Sequence, residues 1–199
     1  PYEAASAYLE VPAGTRNFKV NATGTTTTVI DADVAVTSGS YYTVMATGPV
    51  ASIQPLVLTD DLTNPAAGNV KVRLVHGAPS APNVDIYVTA PGADISMMAP
   101  TLTDVPFRGY SDYLEVPAGS YQVRITPTGT KTVALDTGTL AVTAGQIRTG
   151  VALDLIDTGC GIMPDKIGEL FQPFHVVDER SIRLEGTGLG LSICKKLAN

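Results

Sequence analysis

Seven residues occur twice, word for word: Tyr8-Leu9-Glu10-Val11-Pro12-Ala13-Gly14 returns as Tyr113-Leu114-Glu115-Val116-Pro117-Ala118-Gly119. Chance identity over such a run is negligible, and the correspondence extends outward. Pro1 aligns with Pro106, Ser6 with Ser111, Gly24-Thr25 with Gly129-Thr130, Asp31 with Asp136, and Ala35-Val36-Thr37 with Ala141-Val142-Thr143. An internal repeat of this kind forces a modular reading, in which one structural unit is used twice. Residues 70–105 precede the second copy and have no counterpart before Pro1. The expected organisation is therefore the C-terminal half of a first repeat over 1–48, a last strand and linker over 49–69, and a complete repeat over 70–153. The vocabulary then changes, and 154–199 forms a separate segment.

The complete repeat carries regular strand signals. Val70, Val72, Leu74 and His76 alternate with Lys71, Arg73 and Val75; Val84, Ile86 and Val88 alternate with Asp85, Tyr87 and Thr89; Tyr121, Val123 and Ile125 alternate with Gln122, Arg124 and Thr126. Period-two patterning predicts strands with one face in a core and the other in water. Gly77-Ala78-Pro79, Ala90-Pro91-Gly92 and Thr143-Ala144-Gly145 supply turns at short intervals. Composition agrees: 19 Gly, 14 Pro and runs such as Thr25-Thr26-Thr27-Thr28 favour short strands and turns over helices. With 44% hydrophobic and only 16% charged residues, the chain has enough apolar side chain to fold. The predicted class is mainly β, as antiparallel immunoglobulin-like β-sandwich repeats followed by a short, incomplete α+β segment.

The run Lys71-Val72-Arg73-Leu74-Val75-His76-Gly77-Ala78-Pro79, then Pro82-Asn83-Val84-Asp85-Ile86-Tyr87-Val88, then Val116-Pro117-Ala118-Gly119-Ser120-Tyr121, resembles the bacterial domain of unknown function 4397. The resemblance implies an exported or envelope-associated β-sandwich, often in tandem, without an assigned activity.

Several function classes are disfavoured. A net charge of −6, with no basic run beyond Lys195-Lys196, argues against a nucleic-acid partner, because neutralising phosphates takes clustered Lys and Arg. No window approaches the roughly 20 apolar residues of a membrane-spanning helix. The chain begins at Pro1 without Met or a leader-like segment, which leads us to expect a processed chain or a fragment. Cys160 and Cys194 both lie in the last segment, so the repeats hold no disulfide. His76, at a strand end before Gly-Ala-Pro, is expected to be a structural hydrogen bonder, and Asp85 a solvated carboxylate on a polar strand face. Asp31/Asp33 and Asp60/Asp61 offer two carboxylates each, fewer than a Ca²⁺ site ordinarily needs, and no metal site is expected. An absence of Trp weakens a carbohydrate-binding reading.

In the last segment, Asp157-Thr158-Gly159-Cys160-Gly161-Ile162 is followed by Glu169-Leu170-Phe171-Gln172-Pro173-Phe174 and by Gly186-Thr187-Gly188-Leu189-Gly190-Leu191-Ser192. These three motifs, in this order, resemble the G1, F and G2 boxes of sensor histidine-kinase ATPase domains. By that resemblance, Asp157 would accept a hydrogen bond from the adenine amine, and Gly159 and Gly161 would let the backbone approach the base. Gly186, Gly188 and Gly190 would free backbone N–H groups for the ATP phosphates at a helix N-terminus. The family also binds Mg²⁺ through an Asn on a helix ahead of G1, yet no Asn occurs between Asn83 and Asn199. His175 falls in the F-box and lid region and does not match the phosphoacceptor.

The expected function is thus a non-enzymatic envelope or exported β-sandwich module carrying a truncated, inactive ATP-binding segment. ATP with Mg²⁺ would bind only if that segment were completed, and tandem or homotypic contacts would run through the incomplete first repeat. The alternative is an incomplete sensor histidine kinase of a two-component system, acting in the cytoplasm.

Overall fold

A computed structural model describes residues 5–154. Asp157, Gly159, Gly161, Gly186, Gly188 and Gly190 lie outside the described residues. Eleven strands run through the described chain: β1 (Gly14–Asn21), β2 (Thr28–Val36), β3 (Tyr41–Thr47), β4 (Gln54–Asp60), β5 (Asn69–His76), β6 (Val84–Thr89), β7 (Leu102–Val105), β8 (Leu114–Pro117), β9 (Gly119–Pro127), β10 (Leu135–Val142) and β11 (Ile147–Ala152). The only other element among the described residues is a 3-10 turn over Val50–Ser52. The fold is mainly β, in antiparallel sheets of the kind that build a β-sandwich, as the sequence predicts. One pairing departs from this: β11 runs parallel to β5.

The chain divides into two compact units. The first comprises residues 5–83, 105–118 and 143–154 of the described chain. It contains the β1-β2 and β3-β4 ribbons and the three-stranded sheet β11-β5-β8. Its core gathers Leu56, Leu58 and Val75, with Met45 and Val151 packed against them. The second unit comprises residues 84–104 and 119–142 and carries the four-stranded sheet β10-β9-β6-β7. Val84, Ile86, Tyr87, Ile95 and Ile125 are its buried apolar side chains.

The sequence repeat returns as a repeat of hydrogen-bond geometry. In the first hairpin Gly14 pairs with Val36 and Lys19 with Asp31; in the second, Gly119 pairs with Val142 and Arg124 with Asp136. The turns match as well, with Thr25 N–H donating to Ala22 O and Thr130 N–H to Pro127 O, both at 3.0 Å. The Asn17 amide donates to Asp31, and the corresponding Gln122 amide donates to Asp136. Three residues separate Asp31 from Ala35 but four separate Asp136 from Ala141. The extra residue is absorbed where β10 bulges, between Asp136 and Thr139. Gly138 there adopts φ 62°, a conformation that an L side chain disfavours, so the register recovers on the far side of the bulge.

The two identical heptapeptides nevertheless fold differently. Residues 114–117 form β8 because β5 offers them a partner, with Val70 opposite Val116 and Lys71 opposite Glu115. The first copy has no such neighbour among the described residues and forms no strand before Gly14, leaving Leu9 79% exposed.

The expected alternation of a wet face with a dry one does not hold within β5, β6 and β9. Lys71, Arg73 and Val75 are buried, as are Asp85, Tyr87 and Thr89 on β6 and Arg124 and Thr126 on β9. Polar side chains on these strands are buried because each finds a partner. Asp85, expected in solvent, instead accepts the backbone N–H groups of Asp104 and Gly129, both at 2.9 Å. Gly77 marks a close approach: its N–H donates to Ala152 O at 2.8 Å, and a Cβ there would lie 2.9 Å from the Leu153 side chain.

Candidate functional site

The most concentrated polar chemistry among the described residues lies in the first unit, where β4 ends and β5 begins its central stretch. Asp60 and Arg73 form a salt bridge, Arg73 Nη2 to Asp60 Oδ1 at 2.6 Å, with side chains 1% and 3% exposed. Burying a lone charge is expensive, so each is surrounded by polar partners, although the buried Arg73 Nε is left without one. Asp60 Oδ2 accepts the Tyr8 hydroxyl and the Thr43 hydroxyl, each at 2.7 Å. Arg73 donates to the Thr59 carbonyl at 3.0 Å and to Thr149 Oγ1 at 3.1 Å. Its guanidinium lies 4.8 Å from the centroid of the Tyr113 ring, a cation–π distance. Tyr8 and Tyr113 are the first residues of the two heptapeptides, so both copies converge on one ion pair. Partial desolvation of the Tyr8 hydroxyl, followed by the Asp60 carboxylate, raises the Tyr8 pKa.

A second ion pair flanks the first. Lys71 Nζ contacts Asp61 Oδ2 at 2.7 Å, Thr63 Oγ1 at 2.6 Å and Thr63 O at 3.0 Å. The Lys71 ammonium, with donors from Thr63, holds the Asp61 carboxyl well below the usual carboxylate range. Glu115 accepts the Asn69 amide and the Ala66 N–H, which likewise lower its pKa. The segment read as a linker is thereby tied to β5 and β8.

Over these pairs opens a cleft of about 350 Å³, lined by Thr59, Asp61, Arg73, Tyr110, Ser111, Asp112 and Tyr113. Its two basic neighbours, Arg73 and Lys71, already have carboxylate partners. Ser111 is likewise occupied, its hydroxyl accepting the Leu74 N–H at 3.0 Å. His76 is buried; its Nδ1 accepts the Ala78 N–H at 3.4 Å, which leaves Nε2 to donate to Pro82 O at 3.1 Å. It is a structural hydrogen bonder. Among the described residues no group of three or more His, Cys, Asp or Glu side chains could hold a metal ion, and Asp60 and Asp61 are both occupied by cations of the chain itself. The arrangement is thus suited to holding strands and displaying a polar surface. In the sequence Asp60-Asp61 stands as a bare carboxylate pair and Arg73 as one side of an alternating strand. Two carboxylates shortly before two alternating cations on one strand, Lys71 and Arg73, were the available signal for paired ions.

Residues 1–87 match a family model described as a domain of unknown function (DUF4397), and residues 123–199 match the model of histidine kinase-, DNA gyrase B- and HSP90-like ATPases. The second match begins within β9 and runs on through β10 and β11. Among curated proteins, the chain is 44% identical over 54 residues to hybrid signal transduction histidine kinase F of Dictyostelium discoideum, covering 27% of this chain and 5% of that protein. It is 47% identical over 47 residues to drug sensory protein A of Synechocystis, covering 24% and 7%. It is 39% identical over 59 residues to sensor protein SrrB of Staphylococcus aureus, covering 29% and 10%. The chain therefore spans a tenth or less of these relatives. The chain thus carries two family matches in succession, the second to a family whose description implies ATP as ligand.

Two outcomes follow from the ion pairs. Replacing Arg73→Met strands the Asp60 carboxylate and is expected to cost about 3–5 kcal/mol in urea denaturation, while the double change Asp60→Leu with Arg73→Met costs less than Arg73→Met alone. Additive losses would contradict the coupling. Asp61, Glu115, Asp31 and Asp136 are all depressed in the folded chain, so their stabilisation is complete above their ordinary values of 3.8 and 4.5 and is lost as pH falls through the folded values. Thermal unfolding should be flat from neutral pH to about 5 and fall steeply below about 4, with a shallower fall in Asp61→Asn.

Proposed function

We propose that this chain is a non-enzymatic β-sandwich module of the bacterial envelope or exterior that carries an inactive histidine-kinase ATP-binding segment. The fate of residues 123–152 carries this reading. They fall within the ATPase family match, yet they supply the end of β9, all of β10 and all of β11, paired in the sheets of the β-rich fold. β11 runs beside β5 from Ile147 opposite Lys71 to Ala152 opposite His76, and β9 lies between β10 and β6. The family resemblance requires a helix bearing a Mg²⁺-binding Asn ahead of Asp157. Residues 84–154 contain no Asn and form no helix in the described structure. Phosphoryl transfer from ATP depends on metal ions neutralising the developing charge, so loss of that ligand removes the chemistry.

On this reading the sandwich repeats, one partial and one complete, supply the function through their surface. No described helix is long and apolar enough to cross a membrane, and the acidic chain does not engage nucleic acid. Asp157, Gly159, Gly161, Gly186, Gly188 and Gly190 are residual ATP contacts. The second reading, favoured by the sensor-protein names of the relatives, is an incomplete sensor histidine kinase working on cytoplasmic ATP.

Calorimetric titration of the full chain with ATP, with and without Mg²⁺, alongside Asp157→Asn separates the two. Absent or millimolar binding, insensitive to Mg²⁺ and to Asp157→Asn, with no phosphohistidine formed, is expected. Micromolar, Mg²⁺-dependent binding that Asp157→Asn abolishes would overturn the proposal in favour of the kinase.

A further inference from the structure

The two hairpins of matching register stand in different surroundings. β9 pairs with β10 on one side and β6 on the other, whereas β1 pairs with β2 alone among the described residues. The side chains record the difference. Ile125 on β9 is 8% exposed and its counterpart Val20 on β1 is 38% exposed; Arg124 and Thr126 are buried where Lys19 and Asn21 are exposed. An open strand edge with an apolar side chain is a template for strand addition.

We propose that the edge of β1 left open among the described residues is a docking site for an extended strand of β6 chemistry, supplied by another sandwich repeat. The occupant is specified by what fills the equivalent place in the second unit. There Asp85 stands opposite Thr126, Ile86 opposite Ile125, Tyr87 opposite Arg124 and Thr89 opposite Gln122. Carried to the first hairpin through the repeat, the docked strand sets its Ile against Val20, its Tyr against Lys19 and its Thr against Asn17. Its Asp falls opposite Asn21, beside the turn at Gly24. In the second unit that Asp accepts the Gly129 N–H at 2.9 Å, and Gly24, the counterpart of Gly129, is exposed. The docked strand thus brings both apolar cover for Val20 and a carboxylate acceptor for the Gly24 N–H. This inference is independent of whether the ATPase segment is inert.

The probe is a synthetic peptide with the sequence of residues 82–90, Pro-Asn-Val-Asp-Ile-Tyr-Val-Thr-Ala, added to the full chain. Binding with one-to-one stoichiometry, slowed amide exchange confined to β1 and the Gly24 turn, and about tenfold weaker binding of the peptide with Asn in place of its Asp are expected, since a hydrogen bond to a charged group carries roughly that factor. Val20→Asp, a change at an exposed position that leaves the fold intact, abolishes binding. No binding, protection elsewhere, equal affinity of the Asp and Asn peptides, or a β1 edge already protected in a dimer seen by sedimentation would each overturn the proposal.

Discussion

Strands β3, β4, β5 and β11 of the first unit meet at one buried ion pair. Asp60 closes β4 and Arg73 sits within β5, and neither charge could be buried without the other. Once they meet, their remaining hydrogen-bonding capacity dictates the neighbours: Thr43 on β3, Thr149 on β11, the Thr59 carbonyl and the hydroxyl of Tyr8. Directional bonds of this kind fix which strand lies where, a task that the apolar cluster of Leu56, Leu58 and Val75 could not perform alone, because hydrophobic burial is not directional.

The pair also explains how one repeated sequence serves two purposes. Thr43 and Thr149 occupy corresponding places in β3 and β11, and one grips the acid while the other grips the base. Met45 and Val151, again corresponding residues, flank the same apolar cluster. Yet β3 pairs with β4 antiparallel and β11 pairs with β5 in parallel. The heptapeptides show the same divergence, with Tyr8 reaching Asp60 by its hydroxyl and Tyr113 reaching Arg73 by its ring face. Identical local sequence is therefore subordinate to which partner strand is at hand, as expected for β structure, where packing outweighs intrinsic preference.

Much of the fold was legible because it is written locally. Alternating Val and Ile, with Gly and Pro turns, gave the strands, and the repeat anticipated two hairpins of the same register. The one-residue insertion between Asp136 and Ala141 could be counted in the sequence, but its resolution as a bulge at Gly138 depends on the partner strand. The assumption of one wet face failed for a physical reason. Lys71, Arg73, Asp85, Arg124 and Thr126 look solvated in a one-dimensional pattern, and only the fold brings up the partners that let them be buried, some near in sequence, as Thr130 is to Thr126, and some far, as Gly129 is to Asp85. The polar cluster was missed in the same way, since Asp60 and Arg73 each look ordinary until they are brought together. The nucleotide motifs were legible as a family resemblance, and their residues lie outside the described chain.

Residues 123–152 can serve the sandwich or a nucleotide domain but not both, because a strand can satisfy only one set of hydrogen bonds at a time. Hydrogen–deuterium exchange of the full chain, with and without ATP and Mg²⁺, measures this directly. Slow exchange of β9 in one unit and of β5 and β11 in the other, unchanged by nucleotide, is expected. Nucleotide-dependent protection spreading through residues 123–152 would contradict that expectation.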